Sequence, residues 1–200
     1  HRDDPKTPPE EIVAWMNDFV RAGKVRAIGC SNWTATRVRA ANAYATRRGL
    51  APFVASQVLW NVGVYDMIPW DDPTITRFDR AFHDLHRDGD VLAVPYSAQA
   101  NGYFAKRAAA PDPSTLAGNH YDTPTNRALA AVIDDVARRT GHTVTGVVLA
   151  YLRSQPFPVV PLVGPRNRSQ LNEAIAGIDV PLDAEDLARL ETASGSGFRR

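Results

Sequence analysis

The chain holds a single cysteine, Cys30, in 200 residues. That excludes an internal disulfide framework and fits a reducing compartment, so a cytoplasmic location is expected. No apolar run is long enough to span a bilayer. No charge of one sign dominates: 23 Lys and Arg stand against 22 Asp and Glu, for a formal net charge of +1. The basic residues are spread along the chain, which argues against a nucleic-acid or membrane-surface partner, since either requires a clustered basic face. The opening His1-Arg2-Asp3-Asp4-Pro5 has none of the character of a signal peptide. No Gly-x-Gly-x-x-Gly follows any apolar run, which weakens a doubly wound dinucleotide fold. His83, His86, His120 and His142 lack metal-ligand spacing, so no metal is expected, and the pair His83 and His86 reads as a solvated helix face.

What is present is a hydrophobic fraction of 44%, enough at this length for one domain with a real core. Thr7-Pro8-Pro9-Glu10 reads as a helix start with a capping box, and Gly23 as its stop. Short apolar runs at 25–30, 53–60, 91–95 and 159–163 read as strands. Helical periodicity marks a second helix that starts at Asn32 or Thr34 and stops at Gly49, then 74–87, 126–139, 144–154, 168–176 and a last helix from Asp183 to about Ala193. Residues 103–124 are rich in Ala, Pro, Asp, Gly and Asn, and read as a long functional loop or lid. Residues 194–200 read as a flexible tail. Near-continuous apolar strands alternating with amphipathic helices indicate a parallel sheet covered by helices. An open doubly wound sheet and a (β/α) barrel compete, and polar residues at several strand ends favour the barrel.

The stretch Val159-Val-Pro-Leu-Val-Gly164-Pro-Arg166-Asn-Arg-Ser-Gln170-Leu171 carries the most chemistry. An apolar run breaks at a Gly-Pro turn, and an Arg-bearing segment opens a helix. Backbone N–H groups and a guanidinium then point at one spot, which suits an anionic ligand such as a nucleotide phosphate. Polar residues also follow the strands at Ser31-Asn32 and Tyr96-Ser97, suggesting one shared site.

Taken in order, Arg21 to Asn32, Gln57, Pro95-Tyr96-Ser97, Gly146 to Leu152 and Leu162 to Asn167 resemble the aldo-keto reductase superfamily, and the similarity runs from His1 to about Ala193. The resemblance implies a (β/α)8 TIM barrel that reduces carbonyl compounds with NADPH. His1 matches the family's catalytic histidine, which would orient the substrate carbonyl. The chain is then expected to supply strands 5–8 and their helices, the C-terminal half of that barrel. The family's catalytic Asp, Tyr and Lys have no counterpart in this sequence, so the chain by itself is expected not to turn over. Open strand edges would promote self-association.

The same resemblance gives each residue a role. Ser31, Asn32 and Gln57 would hydrogen-bond the nicotinamide carboxamide, and Tyr96 would stack on the nicotinamide ring. Ser97, Gln99 and Asn101 would lie over the pyrophosphate. Gly164, Arg166 and Gln170 would form the adenosine-phosphate site, with Arg166 on the 2′-phosphate. The family often has Glu-Asn where this chain has Glu173-Ala174, which removes one adenine contact. Trp60, Tyr65 and Trp70 fall where the family's substrate loop leaves a strand. Two alternatives stand beside this reading: a non-catalytic NADPH-binding subunit of the same fold, and an unrelated barrel enzyme that binds a phosphorylated substrate.

Overall fold

The structure, a computed structural model, describes residues 1–66, 72–89, 91–110 and 112–196. The chain divides into two compact units interleaved in sequence. The first comprises 1–59, 72–95 and 157–160; the second holds the remaining described residues. Trp70 and the end of the tail, 197–200, lie outside the described residues.

The first unit is built on a parallel sheet. Its elements are α1 (Pro9–Arg21), β1 (Ile28–Ser31), α2 (Ala35–Arg48), β2 (Phe53–Gln57), α3 (Arg80–Asp88) and β3 (Leu92–Ala93). The strands pair in the order β1-β2-β3, all parallel, and Val159 adds a parallel bridge to Ala93. The expected parallel α/β arrangement is therefore present, with sequential strand order and no reversal. The fourth strand is far shorter than 159–163. The Ala93 N–H donates to the Pro158 carbonyl at 3.4 Å and Val160 donates to the Ala93 carbonyl at 2.9 Å, and the pairing stops there because the next donor on the β3 side would be Pro95, which has no N–H.

Helix ends follow local chemistry. Thr34 caps α2 by accepting from the Arg37 N–H, and Gly49 closes it in the left-handed region at φ 62°. Thr7 does not cap α1. Its hydroxyl donates instead to Asp4, whose carboxylate also takes the Lys6 N–H. Helix α3 starts at Arg80, capped by Asp79, rather than near Thr74. The preceding residues are held alongside Leu59: the Leu59 N–H donates to the Thr76 carbonyl at 3.2 Å, and the Phe78 N–H to the Leu59 carbonyl at 3.0 Å. Two asparagines fasten the entry to β2. Asn17 bonds both the N–H and the carbonyl of Ala51, and Asn42 does the same for Phe53.

His83 and His86 are not on a solvated face; each is only 2% exposed. The periodicity of α3 placed them beside Phe82 and Leu85, and that face turns inward. His86 stacks on Phe78 at 5.9 Å, and its Nδ1 lies 2.8 Å from the Val91 carbonyl. Burial holds the His86 pKa below its ordinary 6.5, the Val91 hydrogen bond opposes this, and His83 and Arg39 reinforce it. The native state therefore resists a proton that the unfolded chain accepts at the ordinary pKa. This stability is complete above 6.5 and is lost as pH falls through the lowered native value. Thermal melts at neutral pH and at about pH 5 should show acid destabilisation that His86→Gln reduces. An identical acid response in the variant would exclude His86 as its source.

The second unit is helical, with α4 (Tyr103–Ala109), α5 (Pro124–Thr140), α6 (Val144–Arg153), α7 (Arg168–Ala176) and α8 (Ala184–Ser194). Helix α6 is buried from Thr145 to Leu152 and forms the centre of this unit. Gly146 and Gly177 allow close backbone approach there: a Cβ on Gly177 would lie 3.0 Å from the Gly146 Cα. Asp186, 1% exposed, is paired with Arg139 and Arg189 and ties α8 to α5. The segment 103–124 is not a continuous loop. Tyr103 and Phe104 are buried at the start of α4, and a 3₁₀ turn spans Pro113–Leu116. The alanines of 105–110 are good helix formers, and Asp112 caps the 3₁₀ turn by accepting the Ser114 N–H.

Candidate functional site

Candidate residues gather in each unit, and each group is described within its own unit. In the first, β1 ends at Ser31, and Asn32 follows with φ 57°, a left-handed value that asparagine tolerates better than most residues. Asn32 is buried and fully engaged. Its Nδ2 donates to Ser31 Oγ at 3.1 Å and to the His1 carbonyl at 3.5 Å, and its Oδ1 accepts the Thr76 N–H at 3.2 Å. Its backbone N–H donates to the Gln57 carbonyl at 2.9 Å. Neither Ser31 nor Asn32 caps α2; Thr34 has that task. The Gln57 side chain is half-buried at the end of β2 and makes no hydrogen bond among the described residues, so its amide is open to a ligand. Ser31, Asn32, Gln57 and the His1 backbone are thus brought together.

The first residues are pinned. Arg37 pairs with Asp3 at 2.6 Å, donates to the carbonyls of Asp4 and Thr7, and stacks on Trp33 at 5.0 Å. The His1 side chain itself is exposed. The Cys30 thiol is pushed up to about 12 by burial, with a Ser56 hydrogen bond opposing. Cys30 is half-buried in β1, and the raised value keeps it a thiol rather than a thiolate at neutral pH.

In the second unit, Ser97, Gln99, Asn101, Gly164, Arg166 and Gln170 line one cavity of about 620 Å³. Six of the expected residues therefore line one cavity, and the volume suits a small-molecule or cofactor site. Tyr96 is half-buried and is not among the residues lining this cavity. The side facing Gly164 is the N-terminus of α7. Asn167 caps it by accepting the Gln170 N–H at 2.9 Å, and Gln170 Oε1 accepts the Arg166 N–H at 2.8 Å. This reciprocal lock resembles a capping box shifted by one residue. It fixes the backbone that carries Arg166 and leaves the first-turn N–H groups of Arg168 and Ser169 without helical acceptors. The Arg166 guanidinium makes no ion pair among the described residues, and a Cβ on Gly164 would meet nothing within 4 Å.

The opposite wall is the turn after Tyr96. Ser97, Ala100 and Asn101 have φ of 53°, 50° and 54°, and Gly102 has 77°. With Asn32, the non-glycine residues of positive φ among the described residues are Ser97, Ala100 and Asn101, and all but Ala100 belong to the candidate groups. Left-handed conformations at non-glycine positions cost roughly 1–3 kcal/mol each and persist only where the surroundings impose them. Lys106, on α4, also lines the cavity and donates to the Asn101 carbonyl at 2.9 Å. Two cations, Lys106 and Arg166, face one carboxylate, Glu173, a balance that favours an anion. Lys106 was missed because its segment read as a loop; the alanine run around it was the available signal. Ala174 is buried and is not among the residues lining this cavity.

Trp60 and Tyr65 do not form an open apolar pocket. Trp60 is buried with its ring edge-on to Tyr151 at 6.5 Å, and Tyr65 stacks on His120 at 4.9 Å. Among the described residues no group of three or more His, Cys, Asp or Glu is placed to hold a metal ion. No helix of the described residues is long and apolar enough to cross a membrane.

The family model of the aldo/keto reductases matches residues 1–194. A probable aryl-alcohol dehydrogenase of Saccharomyces cerevisiae is 29% identical over 191 residues, covering 92% of this chain and 55% of the relative. Versiconal hemiacetal acetate reductase of Aspergillus parasiticus is 27% identical over 201 residues, covering 96% of this chain and 54% of the relative. The chain thus spans about half the length of these relatives. The crystal structure of a thermostable aldo-keto reductase, in complex with the inhibitor epalrestat, superposes with a TM-score of 0.67 at 22% identity. It covers 96% of this chain and 57% of that one, a likeness of fold.

Proposed function

This chain belongs to the aldo/keto reductase family, and on that premise we propose that it binds NADPH as part of an oxidoreductase that reduces aldehydes or ketones. Its sequential parallel strands then belong to a (β/α)8 barrel. The observation that carries the reading is the 620 Å³ cavity, where two cations, a capped helix N-terminus and a strained turn meet.

These residues fit a phosphorylated dinucleotide. Arg166 offers a bidentate fork to the 2′-phosphate, and the N–H groups of Arg168 and Ser169 add the partial positive charge of a helix start. Lys106 and the turn at 97–102 serve the pyrophosphate. In the first unit, Ser31, Asn32 and Gln57 form a polar group of their own, with Gln57 supplying an uncommitted amide and Asn32 acting mainly to fix Ser31. Tyr96 provides the ring for stacking. Bound NADPH would supply the hydride. The residues of this chain bind and orient it; His1 is the candidate for positioning a carbonyl substrate.

A tryptophan-fluorescence titration tests the reading. NADPH should quench saturably, and a sugar phosphate should not compete at similar concentration. Binding of the sugar phosphate without binding of NADPH would favour a phosphorylated-substrate enzyme instead.

A further inference from the structure

We propose that Asn61 and Tyr121 are positioning residues for the turn at 97–102: a buried amide–phenol pair, outside the cavity lining, that holds this turn in its ligand-binding shape. The proposal rests on the reading that this cavity takes phosphates.

The turn is costly to form. Ser97, Ala100 and Asn101 are left-handed, and alanine gains nothing from that conformation. Its internal bonds are few: the Ala100 N–H to the Ser97 carbonyl and the Gly102 N–H to the Gln99 carbonyl, both 2.8 Å. Something outside must impose the shape. Asn61, 6% exposed, spends both amide protons there. One goes to the Ser97 carbonyl at 3.0 Å and the other to the Tyr121 hydroxyl at 2.8 Å. Its oxygen accepts the Gly63 N–H at 2.8 Å, which fixes the amide against rotation. Tyr121 is fully buried and held edge-on by Tyr65 at 5.2 Å. Burial pushes its phenol well above the ordinary value of 10, while hydrogen bonds from Asn61 and Ser97 oppose this. The hydroxyl therefore stays protonated and acts on Ser97 through Asn61, which grips the Ser97 carbonyl.

A purely architectural role would not require the pair to converge on the one left-handed serine at the cavity wall. The geometry instead couples a phenol that lies outside the ligand's reach to the shape of the phosphate cradle.

The test uses the full chain with Asn61→Ala and Tyr121→Phe. The latter keeps the ring against Tyr65 and removes only the hydroxyl. Affinities for NADPH and for adenosine 2′,5′-bisphosphate are measured by fluorescence, and amide exchange across 97–102 is measured without ligand. Asn61→Ala should bind both probes about tenfold more weakly and Tyr121→Phe about threefold, the scale of one lost buried hydrogen bond. Exchange should quicken at Ala100 and Gly102 while the rest of the second unit stays protected. A packing role would instead quicken exchange throughout that unit, and would overturn the proposal. Unchanged exchange at 97–102 in Tyr121→Phe would also overturn it, and that variant decides the matter if Asn61→Ala does not fold. If the unaltered chain binds neither probe, the cofactor reading falls, and the ligand-free exchange still decides the positioning role.

Discussion

Arg166→Ala is expected to weaken NADPH binding by roughly tenfold to a hundredfold and to leave NADH binding nearly unchanged, since hydrogen bonds to charged groups contribute about 1.5–3 kcal/mol. The two nucleotides differ only in the 2′-phosphate, so the ratio isolates the guanidinium contact. Lys106 shares the cavity and keeps part of the attraction, which sets the lower end of the range. The effect should not come from misfolding. It is the backbone N–H of residue 166 that Gln170 holds, and alanine retains it. Arg166→Lys should recover only part of the affinity, because an ammonium cannot bond a phosphate as a fork. Parallel fluorescence titrations with NADPH and NADH read the result. Equal losses for both would mean that Arg166 contacts a group they share.

Asn126→Ala is expected to be the most destabilising single change in the second unit, by about 3–5 kcal/mol, because several buried polar groups lose their partner at once. Asn126 is wholly buried at the start of α5. Its oxygen accepts the Val64 N–H at 2.8 Å, and its nitrogen donates to the carbonyls of Val64 and Tyr121, both at 2.7 Å. Alanine leaves all three backbone groups without that bond. The same change loosens both segments that carry the Asn61–Tyr121 pair, so nucleotide affinity should fall with stability. Urea denaturation of the variant measures the effect, and a change below about 1 kcal/mol would show that water replaces the amide at no cost.

Much of the fold could be read from the sequence where local chemistry was unopposed. Helix α2 begins and ends at its Thr cap and its left-handed glycine, and α8 begins at Asp183. The sites of β1, β2 and β3 followed from apolar runs between turn residues. The departures came from long-range competition. The start of α3 moved because Thr76 and Phe78 bond to Leu59, and nothing within 74–79 announces that pairing. The fourth strand shrank because Pro95, the next residue due to donate to it, has no N–H. Helix α4 was hidden by neighbouring turn residues. In the candidate site, Arg166, Gly164 and Gln170 could be recognised because a turn and a helix start lie side by side in the chain. Asn61, Tyr121 and Asn126 could not: each acts on a segment distant in sequence, and an isolated Asn or Tyr has no local signature. The four buried or clamping asparagines, Asn17, Asn42, Asn61 and Asn126, share this trait.

The central claim is that the cavity bounded by the turn at 97–102 and the start of α7 is a dinucleotide phosphate site. A crystal structure of the chain with NADP⁺ tests it most directly. The account predicts the 2′-phosphate in a two-pronged contact with Arg166 and the pyrophosphate against the Ser97–Gly102 turn. Density for the nucleotide elsewhere on the molecule, with this cavity holding only solvent, would contradict it.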